Sequence, residues 1–237
     1  GKTTTLYAVI RRLMERQSLN ILTVEDPIEY EIPGVGQAEV DAVDKVSFHK
    51  ALRSLLRQDP DIVMIGEIRD AESLDIAVKA SLTGHLVLST LHTNNAPSVV
   101  TRLEDMGVPP HLVGATLRLS VAQRLVRRLC PHCRQPRELS SAEAIALGRP
   151  AIAGRPAYEP KGCLYCAGRG FSGRVGLFEC LLPDAETAAL IAGGATEVQL
   201  VSELKNRGFH TLMDDAVGKI LDGTTTATEV LEVATEQ

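Results

Sequence analysis

Three groups of residues in this chain have types and spacings that could do chemistry. The first is Gly1-Lys2-Thr3-Thr4, the tail of the phosphate-binding pattern G-x-x-x-x-G-K-S/T. In that pattern, backbone N–H groups at a helix start surround phosphate oxygens, the lysine reaches the β- and γ-phosphates, and the next hydroxyl sits on Mg²⁺. Gly1, Lys2, Thr3 and Thr4 are therefore candidates for holding a nucleotide. The second group is a set of acids and histidines at the ends of short apolar runs. Glu25, Asp26 and Glu29 follow Ile21 to Val24, Glu67 follows Ile62 to Ile65, and His85 and His92 bracket Leu86-Val-Leu-Ser-Thr90. Carboxylates so placed suit a Mg²⁺–nucleotide site, where they hold metal or orient an attacking water. The alternatives are a charged surface loop for the first three acids, an internal ion pair between Glu67 and Arg69, and histidines that serve only the fold. The third group is Cys130-Pro-His-Cys133 with Cys163-Leu-Tyr-Cys166. Paired CxxC units favour tetrahedral Zn²⁺, although the 29 residues between them exceed the gap of most zinc ribbons. Four thiolates leave no open coordination position, so the zinc would be structural. His132 reads as a bystander inside the first pair, and Cys180 as a buried small residue without a partner.

These residues need a scaffold, and the hydrophobic pattern supplies one. Leu6, Ile10 and Leu13 keep helical spacing to Met14, so Lys2 opens a helix. Ile21 to Val24 and the unbroken apolar run Ile62 to Ile65 read as strands, the latter buried on both faces as in a parallel sheet. Pro33-Gly34 is a turn signal, across which Ile28–Ile32 and Gln37–Val40 would pair as a small hairpin. A helix follows with Ser47 as N-cap and Phe48, Leu52, Leu55 and Leu56 on one face. Another covers Ala71 to Leu82, stopped by Gly84. After the strand Leu86–Thr90, Pro97 starts a helix that runs to Met106, and Pro109-Pro110 precede a long helical pattern through Leu129. Ser140 to Leu147 reads as a short helix. The glycine-rich stretch Gly168 to Gly176 reads as a turn leading into a strand over Leu177–Leu182. Four helices are expected beyond it: Ala185–Ala192, Glu197–Asn206, Thr211–Leu221 and Thr226–Ala234. Strand, helix, strand, helix, strand in succession argues for an α/β fold with a parallel sheet of RecA-like type.

Composition bounds the possibilities. With 237 residues, 44% of them hydrophobic, 3% aromatic and no Trp, the chain can build an aliphatic core. Its apolar runs are far shorter than the roughly 18 residues of a membrane span. No secretory leader opens it, and Gly-Lys-Thr in place of a Met reads as a fragment starting inside the phosphate loop. A net charge of −5 argues against a general nucleic-acid binder, Arg124, Arg127 and Arg128 being its one basic cluster. Cysteines in close pairs suggest a reduced compartment. The expectation is a soluble cytoplasmic α/β protein.

The blocks Leu22-Thr-Val-Glu-Asp-Pro-Ile-Glu-Tyr30, Leu56-Arg-Gln-Asp-Pro-Asp61, Met64-Ile-Gly-Glu-Ile-Arg-Asp70 and Thr83-Gly-His-Leu-Val-Leu-Ser-Thr-Leu-His-Thr93 resemble the acidic box, Walker B and histidine box of the secretion ATPase superfamily. Within it, the chain is similar to type II secretion and type IV pilus assembly ATPases over nearly its whole length. The resemblance implies a RecA-like P-loop NTPase core over 1–129, a zinc-binding tetracysteine subdomain over 130–176, and a C-terminal strand and helical subdomain over 177–237. Lys2 and Thr3 match the phosphate-loop lysine and the Mg²⁺-ligating hydroxyl. Glu29 matches the catalytic glutamate of the acidic box, with Glu25 and Asp26 beside it. Glu67 matches the Walker B glutamate, and Gly66 stands where many P-loop enzymes have Asp, a departure the family shares. His92 matches a histidine that senses the γ-phosphate, and His85 its partner or a structural residue. Arg102 resembles an arginine that serves nucleotide or subunit contacts, the alternative being a solvated helix arginine.

The activity so implied is ATP hydrolysis that powers assembly of a pseudopilus or pilus. The motor would be a hexameric ring, cytoplasmic and peripheral to a bacterial inner membrane, acting on a platform protein and bound to it by a recruiting protein. Its cofactors would be ATP, Mg²⁺ and Zn²⁺, and no nucleic acid is expected as a partner. The tetracysteine cluster belongs to the assembly branch, whereas retraction ATPases lack it. The fragment alone is expected to be inactive, because most phosphate-cradling amides precede Gly1. The alternatives are a nucleic-acid translocating or DNA-uptake ATPase of RecA type, and a non-catalytic scaffold.

Overall fold

The computed structural model describes residues 1–15, 18–40 and 48–235, with side chains to Val233. The chain divides into two compact units that interleave along the sequence. The first comprises Gly1–Thr93, Pro97–Ser120 and Leu182–Glu203, and the second Asn94–Ala96, Val121–Leu181 and Leu204–Gln237.

In the first unit, α1 (Lys2–Met14) leads into β1 (Ile21–Glu25), β2 (Gly36–Glu39), α2 (Phe48–Leu56), β3 (Ile62–Ile65), α3 (Ala71–Leu82), β4 (Leu86–Ser89), α4 (Ser98–Asp105) and α5 (Pro110–Thr116). The four strands form one sheet in the order β2-β1-β3-β4, and every neighbouring pair is parallel. Strand β3 is central and all four of its residues are buried, as its unbroken apolar run requires. Tyr7, Ile10, Ile21, Ile32, Ile62 and Met64 form a buried core shared by α1 and the sheet. At the start of β3, Asp59 adopts φ 51°, and Asn20 stabilises that bend by donating its amide to the carbonyls of Gln58 and Asp59, both at 2.9 Å.

Two expectations for this unit are corrected. Residues 28–32 form no hairpin with β2. Ile32 is buried in the core and its N–H donates to Gln37 Oε1 at 2.6 Å, so the segment after β1 turns back and β2 joins β1 in parallel. The long helix expected after Pro110 ends as α5 at Thr116, and residues 120–129 form a strand instead. The shortened α5 packs tightly on α7 (Ala185–Ala192): a Cβ on Gly114 would lie 2.6 Å from the Ala188 carbonyl oxygen. Ser47, read as the N-cap of α2, lies outside the described residues.

The second unit contains β5 (Ser120–Leu129), β6 (Gln135–Glu138), α6 (Ser141–Ala146), β7 (Pro156–Glu159), β8 (Phe171–Leu181), α9 (Leu212–Leu221) and α10 (Ala227–Thr235), with α8 (Glu197–Asn206) running into it. Strands β5 and β8 pair as one two-stranded sheet, and β6 and β7 as another. Strand β8 is longer than the expected Leu177–Leu182 and absorbs most of the glycine-rich stretch. The core gathers Val126, Leu139, Leu147, Leu177, Ile220 and Val230. A capping box at Ser140 and Glu143 starts α6. Glu143 is held ionised down to about 2, chiefly by the Arg137 guanidinium. Arg127 ties β5 to α10 by donating through Nε to Glu229 Oε2 at 2.9 Å and lies 4.4 Å over the Phe171 ring.

Candidate functional site

Because β1, β3 and β4 are parallel, the residues that follow them emerge on one edge of the sheet: Asp26 after β1, Gly66-Glu67 after β3, and Thr90 to His92 after β4. This carboxyl edge is where open α/β sheets bind ligands. Two hydrogen bonds fix the exits side by side. Thr90 Oγ1 donates to the Gly66 carbonyl at 2.7 Å, and the Ile68 N–H donates to the Thr90 carbonyl at 3.1 Å.

Glu67 is the centre of the edge. Its Oε1 lies 2.5 Å from His92 Nε2, and its Oε2 accepts from Arg69 Nε at 2.9 Å and lies 2.8 Å from Nη2. Arg69 Nη1 also stands 3.6 Å from Asp26 Oδ2, so one guanidinium spans the exits of β1 and β3. The Arg69 hydrogen bond holds the Glu67 carboxyl below the ordinary carboxylate range, against partial burial and with help from His92. Glu67 is therefore ionised at neutral pH and already in contact with the histidine that the sequence placed beside it. The expected pairing with Arg69 is present as well, so the structural and functional readings coexist at one carboxylate.

The other candidates fall into place around this centre with differing outcomes. Helix α1 starts at Lys2, with Gly1 as its N-cap and no acid in its first turn. A cation at the positive end of a helix dipole is unfavourable unless an anion joins it, which suits a phosphate site. Tyr7 of α1 meets Glu25 at the end of β1, and Lys2 lies five residues earlier, about 7.5 Å along the helix axis. Lys2 and Thr4 are exposed and Thr3 is half-buried. Glu29 is exposed on the segment after Asp26.

Glu25, expected among the nucleotide ligands, is instead 2% exposed, and its carboxylate accepts from Tyr7, Thr23 and Gln37. His85 precedes β4, at the opposite end of the sheet from Glu67. Its Nδ1 lies 3.0 Å from the Ala80 carbonyl oxygen and 3.1 Å from Thr83 Oγ1, so it closes the C-terminus of α3. Four strand residues, about 13 Å, separate it from the site. Arg102 is exposed in the last turn of α4. Arg69 and Tyr7 are the residues that the sequence reading left without a role at the site. The ion pair weighed for Arg69 pointed toward it, and no local pattern marks Tyr7.

The four paired cysteines also converge. Cys130 and Cys133 lie between β5 and β6, and Cys163 and Cys166 between β7 and β8. The antiparallel pairing of Gln135–Glu138 with Pro156–Glu159 returns the chain to its starting point, which accounts for the long gap between the pairs. Their four Sγ atoms lie within 4.8 Å of one another, with three separations of 3.9, 3.8 and 3.8 Å. A tetrahedron of sulfurs about 2.3 Å from a central ion has edges of about 3.8 Å, so the donor set fits Zn²⁺. Backbone N–H groups of Cys163 and Gly170 each donate to Cys166 Sγ at 3.2 Å. Burial opposes ionisation of Cys166, but these amides together with the Cys163 and Cys133 side chains bring the thiol down to about 6. His132 stacks on Tyr165, with 4.2 Å between ring centroids. Cys180 is exposed, which corrects the expectation of a buried residue.

A family profile described as "Type II/IV secretion system protein" matches residues 1–232. The chain belongs to that family. It is 47% identical over its whole length to the type II secretion system protein E of Pseudomonas aeruginosa, covering 47% of that protein. It is 45% identical to the type IV pilus assembly ATPase TfpB of Acinetobacter baylyi, with 98% of this chain and 40% of that protein covered. Among solved structures it resembles the pilus retraction motor PilT with bound ADP, with a TM-score of 0.73 and 27% identity over 98% of this chain and 57% of that one. The DotB ATPase of Legionella pneumophila shares the mixed α/β fold at a TM-score of 0.69 and 23% identity, over 100% of this chain and 57% of that one. The chain spans about half the length of the curated relatives it matches. Among the described residues, no helix is long and apolar enough to cross a membrane.

Arg69→Ala should release the Glu67 carboxyl, because the guanidinium is the largest influence lowering its pKa. In a titration of isotope-labelled glutamate carboxyls by NMR, the Glu67 midpoint should lie below 4.5 in the wild type and rise in the variant. A folded-state pKa that is lowered contributes stability above the unfolded value and loses it as pH falls. The variant should accordingly lose part of the wild type's dependence of stability on acid pH.

Proposed function

We propose that this chain is the RecA-like catalytic portion of an ATPase that drives assembly of a pseudopilus or pilus, for type II secretion or type IV pilus extension. The observation that carries this reading is Glu67 held between His92 and Arg69 on the carboxyl edge of a parallel sheet, with Asp26 beside them and the start of α1 beyond. Lys2, Thr3 and the first amides of α1 would hold the phosphates. Glu67 and Glu29 would accept a proton from, or orient, the attacking water, and His92 would report the γ-phosphate to Glu67 through their contact. Asp26 would complete the acidic wall, and Arg102 would serve a subunit or nucleotide contact. The Thr3 hydroxyl and the acids of this edge would hold Mg²⁺, which would supply charge neutralisation at the phosphates.

The relatives named as secretion and pilus proteins support the choice of machine, and the solved retraction motor with ADP supports the choice of nucleotide. The cysteine cluster favours assembly over retraction, with Cys130, Cys133, Cys163 and Cys166 as ligands of a structural Zn²⁺. By the family resemblance, a hexamer is the proposed working form, on the cytoplasmic face of the inner membrane and bound to platform and recruiting proteins. Of the three arginines in the basic cluster, Arg127 is committed to Glu229 and Arg124 to main-chain carbonyls.

Glu67→Gln in the full-length protein keeps the shape of the side chain and removes its charge. ATP turnover should fall about 100-fold or more, as measured by phosphate release, and unchanged turnover would refute the catalytic assignment. Separately, the purified protein should carry about one zinc per chain by elemental analysis, as expected of four thiolate ligands closing one site. Cys163→Ser should lower that content and the thermal stability together.

A further inference from the structure

A nucleotide site on this edge works only if α1, which presents Lys2 and Thr3, keeps its place relative to the acids after β1 and β3. One buried pair is built to fix it. Glu25, the last residue of β1, is 2% exposed, and its partners are all uncharged. Tyr7 donates its hydroxyl to Oε2, Thr23 Oγ1 donates to Oε1 at 2.6 Å, and Gln37 Nε2 donates to Oε1 at 3.0 Å. A buried carboxylate tolerates little displacement from its donors, because a lost hydrogen bond leaves an uncompensated charged oxygen.

Tyr7 extends this anchor to the catalytic segment. Its ring meets Tyr30 edge-on, with 4.7 Å between centroids and 84° between planes. One turn along α1, the Arg11 guanidinium lies 5.2 Å from the centroid of the same Tyr30 ring. Burial pushes the Tyr7 hydroxyl up to about 12, with Glu25 adding to the rise. Tyr7 thus touches the loop on both sides of its turn, at Glu25 before Asp26 and at the Tyr30 ring after it. Gly66 packs on the other flank, where a Cβ would stand 3.5 Å from Glu25 Cα. The backbone that carries Glu67 therefore rests on the same anchor.

We propose that Tyr7 and Glu25 form a positioning pair that sets Glu29 and Glu67 against the phosphate-binding end of α1, without either residue touching nucleotide. This rests on the proposed nucleotide site and gives Glu25 a role other than ligand. The pair should act on the chemical step, since small displacements of catalytic groups lower turnover more than binding.

The test compares steady-state ATP hydrolysis by the full-length protein and its Tyr7→Phe, Glu25→Gln, double and Glu67→Gln variants, at a temperature where each is folded by thermal melting. Tyr7→Phe removes one oxygen and keeps the ring against Tyr30, so it decides the matter if Glu25→Gln does not fold. We expect each single variant to lower kcat about tenfold with KM for ATP within about twofold of wild type. The double variant should be no worse than the poorer single one, because both break the same contact. Wild-type kcat in Tyr7→Phe would overturn the proposal, as would losses that multiply in the double variant. Turnover retained by Glu67→Gln would instead refute the nucleotide-site reading. Loss in Glu67→Gln with wild-type kcat in Tyr7→Phe would leave that reading standing and remove only the positioning pair.

Discussion

Everything at the candidate site follows from one constraint: the strands of the first unit all run the same way. Parallel pairing puts the exits of β1, β3 and β4 on a single edge, and each exit carries its own polar group. The edge thus gathers Asp26, Glu67 and His92 from segments far apart in sequence. The same rule sends His85, which enters β4 instead of leaving it, to the far end of the sheet. Two histidines seven residues apart are thereby given unrelated tasks, one at the Glu67 carboxylate and the other at the end of a helix.

Within that edge, electrostatics and burial divide the acids. Glu67 keeps a side-chain exposure of 22% and is paired with a cation and a histidine, so it is charged and reachable. Glu25 is sealed away among neutral donors, where it can fix backbone but not meet solvent. Neighbouring carboxylates with opposite environments suit different work, as the two reactive acids of many enzymes do. In the second unit, the β6–β7 hairpin returns the chain so that two CxxC turns meet, and a cluster of four sulfurs arises from segments 29 residues apart.

The first unit was largely legible in the sequence, because buried parallel strands have unbroken apolar runs and the helices between them have clear periodicity and caps. The hairpin expected from 28–32 and 37–40 does not form, because the turn at Pro33-Gly34 is local whereas the burial of Ile32 in the core shared by α1 and the sheet is a tertiary fact. Strand β5 stands where a helix is expected, because Leu125, Val126 and Leu129 also fit a helical period. Strand β8 was underestimated since glycines at 173 and 176 lower strand propensity, an effect overridden by pairing with β5. At the site, the acids, His92 and the cysteines were legible as types and spacings. The burial of Glu25 and the reach of Tyr7 were not, since both depend on which face of α1 meets β1.

Nucleotide bound on the carboxyl edge of the parallel sheet should be visible in hydrogen–deuterium exchange of the full-length protein, compared with and without a non-hydrolysable ATP analogue and Mg²⁺. Exchange should slow in peptides covering residues 1–7, 26–30, 66–69 and 89–93, and stay unchanged over 80–86 at the opposite end of the sheet. Unchanged exchange in the first four segments at saturating nucleotide, or protection centred on 80–86, would contradict that placement.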